Sequence, residues 1–176
     1  MTLSLAAGVN GQITNAPRTY FEAFNATPDA LLIKGSSTID TLNNQINYPV
    51  EVRAERVSNP QTTNSIYAVS LRTTFPQLVQ VDYVDYDELD ALIRGVQYIS
   101  QANSSITPLD NFEAVFRTRS GLSIAKVGRG NKVVIAITSG NTNVVHNQMA
   151  SFVLDQLGRD LTAAKTKIDA VAASGQ

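Results

Sequence analysis

The stretch VDYVDYDELDALIRGVQYI (81–99) constrains the fold of this chain more than any other. It opens with the apolar–polar alternation of a β-strand, passes through a dense run of acids and closes with the 3.6-residue period of a helix. β-rich sequence lies on both sides of it, and a second long helical pattern closes the chain. A chain that must turn from strand to helix here, then back to strands, belongs to the α+β class.

Ahead of this stretch, Val50, Val52 and Ala54 alternate with Glu51, Arg53 and Glu55, the pattern of a strand with one buried and one wet face. Ser58-Asn59-Pro60-Gln61 ends it. Ser65–Thr74 follows with Tyr67, Val69 and Leu71 on one face, then Leu78–Tyr83 with Val79, Val81 and Tyr83 aligned. Short connections make these an antiparallel meander. Further upstream, Arg18–Phe24 fits one helical turn or a short strand, and Leu31–Lys34 fits a short strand ended by a turn at Gly35-Ser36-Ser37. Thr38–Ile46 is ambiguous: Ile39, Leu42 and Ile46 have helical spacing in an Asn-rich context. Residues 1–28 hold Gly8, Gly11, Pro17 and Pro28 and are expected to be loosely ordered. TLSLAAG, near the start, lacks the basic flank and the length of a signal sequence.

From Tyr86 to Gln101, Leu89, Leu92, Ile93, Val96 and Ile99 form an apolar helical stripe, with Arg94, Gln97 and Gln101 opposite. Gly95 costs about 1 kcal/mol relative to Ala inside a helix, which points to close approach of another backbone or to simple drift. A second β-block begins at Asn111–Arg119, where Phe112, Ala114 and Phe116 share a face. Leu122–Val127 follows, then Lys132–Thr138, whose consecutive apolar residues predict a central strand covered on both faces, then a short strand at Asn143–His146. Ser120-Gly121, Gly128–Asn131 and Ser139-Gly140-Asn141 read as turns. The last helix is expected over Gln148–Val171 on a stripe of Met149, Val153, Leu157, Leu161, Ala164, Ile168 and Val171. Asp155–Arg159 and Lys165–Asp169 are i, i+4 opposite-charge pairs on its wet side. The expected architecture is β-meander–α–β-meander–α, with helices packed on predominantly antiparallel sheets. It forms one domain over 29–176, or two β-block-plus-helix halves (29–103 and 108–173).

With 176 residues and 43% hydrophobic content the chain can bury a core, and no run reaches the ~20 apolar residues of a membrane span. The formal charge of −1 gives no overall attraction to nucleic acid or membrane. The absence of cysteine removes disulfides, thiolate zinc sites and cysteine nucleophiles. Surface chemistry built on Asn, Gln, Ser and Thr, with only 16% charged residues, tilts toward an exported or periplasmic protein over a cytoplasmic one.

The densest charge is the acidic run Asp82, Asp85, Asp87, Glu88 and Asp90. Asp85, Asp87 and Glu88 are the candidate metal ligands, because a hard cation such as Ca²⁺ takes several oxygens from one loop. The spacing is not that of an EF-hand. Acids in a helix's first turn also favour the positive end of its dipole, and Asp85 with Glu88 fits a capping box, so helix initiation is the preferred reading. The one histidine, His146, lacks a local nucleophile or orienting carboxylate and suits a structural or capping role. Arg117, Arg119, Lys126, Arg129 and Lys132 make 111–132 basic, but Arg117 and Arg119 alternate with Phe112 and Phe116, so the pattern is a solvated face rather than a stacking platform for single strands. The glycine-rich turns link strands and do not open a helix, so they are not phosphate loops. No catalytic residue and no cofactor motif is assigned.

YDELDALIRGVQYI (86–99), NFEAVFRTRSGLSIAKVG (111–128) and VIAITSG (134–140) together resemble an uncharacterised protein family without a known activity. This resemblance covers about the second half of the chain, implies no catalytic residues, and implies that 81–171 is one cooperative unit. In order of elements the two halves also resemble the Whirly-type single-stranded DNA-binding proteins. That family's basic KGKAAL-type motif is missing here, so the resemblance implies topology alone. The expected function is a non-catalytic binding or structural domain for a protein or small ligand. The alternatives are a carboxylate-dependent enzyme using the acids of 82–90 and, more weakly, single-stranded nucleic-acid binding. Homo-oligomerisation is left open.

Overall fold

The computed structural model describes residues 16–43, 49–74, 78–139, 145–149 and 152–175. The elements run α1 (Tyr20–Asn25), β1 (Ile33–Leu42), β2 (Val50–Asn59), β3 (Asn64–Thr74), β4 (Val79–Asp85), a 3-10 turn at Tyr86–Glu88, α2 (Leu89–Gln101), β5 (Asn111–Arg117), β6 (Ser123–Arg129), β7 (Lys132–Ser139), β8 (Val145–Met149) and α3 (Val153–Ala173). They build two four-stranded antiparallel meanders, β1-β2-β3-β4 and β5-β6-β7-β8, each followed by a helix. The α+β class and the order of elements are those expected from the hydrophobic periods.

The helices are exchanged between the sheets. α2 follows the first sheet but lies against β5 and β6 of the second, while α3 follows the second sheet but lies against β1, β2 and β3 of the first. The two helices also pack on each other. One core cluster therefore draws on every layer, joining Leu42, Val52 and Leu71 to Leu92 and Val96, to Ile124 and Ile135, and to Leu157 and Leu161. As the α2 stripe predicts, Leu89, Leu92, Val96 and Ile99 are buried and Ile93 packs half-buried beside them. A smaller cluster on the opposite face of the first sheet joins Phe21 of α1 to Val57 and Ala68, with Tyr83 packed against it.

Local signals mislead at four places. β1 runs straight through the expected turn at Gly35-Ser36-Ser37 and the helix-like spacing after it, because nine of its ten residues pair along β2 from Ile33↔Ser58 to Leu42↔Val50. A bulge between Thr38 and Asp40 lets Ile39 pack on the same core as Leu42, which is how a strand imitates helical spacing. In β4 the covered face is not Val79–Val81–Tyr83: the register Leu71↔Asp82 and Val69↔Val84 places Asp82 and Val84 among the buried residues of β3. Tyr83 turns instead to Phe21, with ring centroids 4.8 Å apart.

β7 is central but fully covered on one face only. Ile135 and Ile137 are buried, while Val134 and Ala136 on the other face are half-buried, and Val133, at the start of the Ile135 face, is 50% exposed. α3 begins at Val153, since Met149 is drawn into β8 opposite Ile135. Of its two expected ion pairs, Lys165–Asp169 forms at 3.4 Å. Asp155 accepts from the Ser100 hydroxyl at 2.6 Å and Arg159 donates to Gln156 at 2.6 Å. The expectations for TLSLAAG and for the turn at Gly140-Asn141 fall outside the described residues.

Two glycines make room for aromatic rings of β5, Gly95 between α2 and the second sheet and Gly128 across the β5–β6 pair. A Cβ on Gly95 would stand 2.9 Å from Cγ of Phe116, and one on Gly128, inside β6, would stand 2.6 Å from Cδ1 of Phe112. The close approach at Gly95 is thus to an aromatic ring rather than to the backbone expected there. Overpacking a core costs about 1–3 kcal/mol, more than the ~1 kcal/mol of helix propensity that alanine recovers. Gly95→Ala is therefore expected to lower stability by about 1 kcal/mol in urea unfolding, and Gly95→Ala combined with Phe116→Leu to lose less than the two single changes together. A Gly95→Ala protein more stable than its parent would contradict this packing.

Candidate functional site: an acidic clasp and a cationic cleft

β4 ends with Asp85 on the sheet face turned toward α1, opposite Ala68. Its buried carboxylate accepts from the backbone N–H of Tyr20 at 2.8 Å and of Phe21 at 2.9 Å, so it caps α1. Asp85 does occupy the position before the 3-10 turn that leads into α2, but its side chain makes no capping bond there. The capping box belongs to α1: the Glu22 N–H donates to Thr19 Oγ1 at 3.0 Å and the Thr19 N–H to Glu22 Oε2 at 3.1 Å.

The acids of the 3-10 turn meet Arg119, which lies just after β5. Its Nη2 donates to Asp87 at 2.5 Å, its backbone N–H donates to Glu88 at 2.9 Å, and its Nη1 is 3.7 Å from Asp85. The guanidinium also lies over the Tyr20 ring, 5.2 Å from the centroid. These carboxylates, Asp87 foremost, hold the Arg119 pKa above its ordinary value. Beside it, Arg18 donates to the Ser120 carbonyl. Asp90 stands apart, 3.8 Å from Lys165.

The structure thus brings Asp85, Asp87 and Glu88 together, but around a guanidinium and two backbone amides of α1. Among the described residues, no group of three or more His, Asp or Glu side chains is placed to hold a metal ion. Sequence reading missed Arg119 as their common partner because it counts as one basic residue in a basic stretch. Only its place at the Ser120-Gly121 turn, where Gly121 takes φ +90°, aims it back at the acids.

The remaining sequence candidates are dispersed. His146 lies within β8 opposite Thr138, rather than at a strand-to-helix junction, and its side chain is outside the described residues. Phe112 is buried and Phe116 packs on the core, so neither ring is open to a stacked base. Lys126 donates to the Ser100 carbonyl at 2.7 Å, fastening β6 to α2. Among the described residues no helix is long and apolar enough to cross a membrane.

A cleft of about 240 Å³ opens where the covered face of the first sheet runs past the last turns of α3. Strand pairing puts Gly35, Ser37, Ala54, Arg56 and Tyr67 on that face, and Lys167, Ile168 and Val171 come from α3. Ala54, Tyr67 and Ile168 give an apolar floor, with Arg56 and Lys167 as charged lining. Ser36 and Glu55 also border the cleft, but strand alternation turns their side chains to the other face, where Glu55 accepts from Ser70 and Ser36 accepts from Arg53. No sequence signal marked this site, because Gly35 and Ser37 read as a turn and Arg56 as the tail of a strand.

Asp160 is a separate oddity. It is 5% exposed on the buried side of α3; one oxygen accepts from Gln156 Nε2 at 2.9 Å, while the other is buried without a hydrogen-bond partner. The same Nε2 reaches Asp40 of β1 at 2.8 Å. Burial, chiefly, raises the Asp160 pKa, and the Asp40 charge adds to it while Gln156 and Arg159 oppose it. A raised folded-state pKa means the native state holds the proton longer, so stability falls as pH rises from about 4 through that pKa. Asp160→Asn is expected to melt higher than the parent at pH 7 by a wider margin than at pH 4. Equal margins at the two pH values would show that Asp160 is not the strained acid described.

Compared with known proteins, the chain matches no protein-family model, no curated protein and no solved structure.

Proposed function

We propose that this chain is a non-catalytic binding domain whose ligand site is the cleft between β1–β3 and the end of α3. One observation carries the reading: Arg56 and Lys167, which form no ion pair among the described residues, line this cleft, whereas Asp85, Asp87 and Glu88 do not border it and are engaged by Arg119 and by α1. A carboxylate-dependent enzyme needs acids at the mouth of a pocket, with room for a substrate. Here both oxygens of Asp85 and one each of Asp87 and Glu88 already accept hydrogen bonds from α1 and Arg119.

The test is a paired screen of the purified chain. A small-molecule library read by thermal melting is expected to contain ligands that raise the midpoint. At a hundredfold excess over Kd the stabilisation is about 2.7 kcal/mol, or roughly 5–10 °C for a chain of this size. A panel of ester, phosphoester and glycoside substrates is expected to show no turnover. Turnover that disappears in Asp87→Asn or His146→Ala would overturn the reading.

A further inference from the structure

We infer that the cleft takes a small organic anion, a carboxylate on a single flat or branched apolar body. This deepens the binding reading above and rests on it. Size sets the first limit: about 240 Å³ lies below the usual range for drug-sized ligands, so one ring or a short branched chain is what fits. The floor of Ala54, Tyr67, Ile168 and Val171 matches such a body.

Charge sets the second limit. Arg56 donates through Nε and Nη2 to the Ser65 hydroxyl, at 3.4 and 3.2 Å, and has no carboxylate within ion-pair distance among the described residues. Nη1 remains to complete a two-point contact with a carboxylate, the geometry a guanidinium fork favours. Lys167 adds a second positive charge from α3, and it too has no acidic partner among the described residues. Glu55, the one acid bordering the cleft among the described residues, is committed to Ser70 on the other face. A half-buried arginine beside an apolar floor, held by one neutral hydroxyl, is completed by an anion.

Gly35 supplies a clean way to block the site. It lines the cleft, and a Cβ there meets nothing within 4 Å, so a larger side chain fills the cleft without disturbing the fold.

Benzoate is the probe, with benzyl alcohol as its neutral counterpart and inorganic phosphate as an anion without an apolar body, each titrated into the ¹⁵N-labelled full chain. Benzoate is expected to saturate with a dissociation constant on the order of 1 mM, typical of a ligand this small. It should shift the amides of Gly35, Ser37, Arg56 and Lys167. Arg56→Gln should weaken it at least tenfold, Lys167→Gln several-fold, and Gly35→Leu should abolish it with an unchanged melting temperature. If Arg56→Gln unfolds the chain, the exposed Lys167→Gln still reports the charge dependence. Equal binding of benzyl alcohol, equal binding of phosphate, or no saturable shift with benzoate would each overturn the inference. Saturation by benzyl alcohol alone would do so while leaving the cleft as a binding site, whereas turnover lost in Asp87→Asn would remove the binding reading itself.

Discussion

A chain ended after residue 151 is expected to lose both sheets, not only its last helix. α3 buries Val153, Leu154, Leu157, Leu161 and Ile168, and full burial of each such side chain contributes about 1.5–3 kcal/mol. Together these are worth about 10 kcal/mol, comparable to the whole net stability of about 5–15 kcal/mol typical of a domain. The loss does not stay local, because the surface α3 covers belongs to the first sheet, at the other end of the chain. Without it Leu42, Val50 and Val52 face water, and α2 loses the helix it packs against. Circular dichroism and ¹H–¹⁵N spectra of the 1–151 chain should show neither a cooperative melt nor dispersed amides. A truncated chain whose β1–β4 amides stay dispersed would show the first sheet to be self-sufficient. At the level of single residues, Leu157→Ala and Leu161→Ala should each cost about 2–5 kcal/mol.

The same exchange of helices marks the boundary of what the sequence makes legible. Period 3.6 in Leu89–Ile99 and period 2 in Val50–Ala54 identify each element and its buried face, since that information is local. Which sheet a helix covers is decided by the path of the chain, and nothing in an apolar stripe names its partner. Errors in β1, β4 and β7 have the same origin. Pairing with β2 overrides a turn signal at Gly35-Ser36-Ser37, and register with β3 puts Asp82 on the covered face of β4. On β7 the face of Ile135 and Ile137 is buried, while Val134 and Ala136 on the other face are half-buried. The acids of 82–90 were visible as a cluster, but Arg119 lies more than thirty residues on. Their joint role depends on a turn returning it, and the cleft depends on two distant strands and the last turns of α3.

Asp85→Ala is expected to be the most damaging change in the acidic cluster, with a loss of about 3 kcal/mol. The buried carboxylate satisfies two N–H groups at the start of α1, and a charge-assisted hydrogen bond contributes about 1.5–3 kcal/mol. A helix of six residues has no stability of its own to replace them. Release of α1 would uncover Phe21, Val57 and Ala68 on the far face of the first sheet. Asp85→Asn keeps one acceptor but points a donor at a donor, so it should fall between the parent and Asp85→Ala. Asp87 is 61% exposed at its side chain, and its pair with Arg119 is screened by water, so Asp87→Ala should cost less than 1 kcal/mol despite its 2.5 Å contact. Urea unfolding should give the order Asp85→Ala, Asp85→Asn, Asp87→Ala, and hydrogen exchange should speed first at Tyr20 and Phe21. If Asp87→Ala cost as much as Asp85→Ala, the stabilisation would reside in the ion pairs around Arg119 instead of in the cap on α1. The expected order therefore makes the densest run of acids in the chain a fastening between β4, α1 and the turn after β5, with Asp85 as its buried pin.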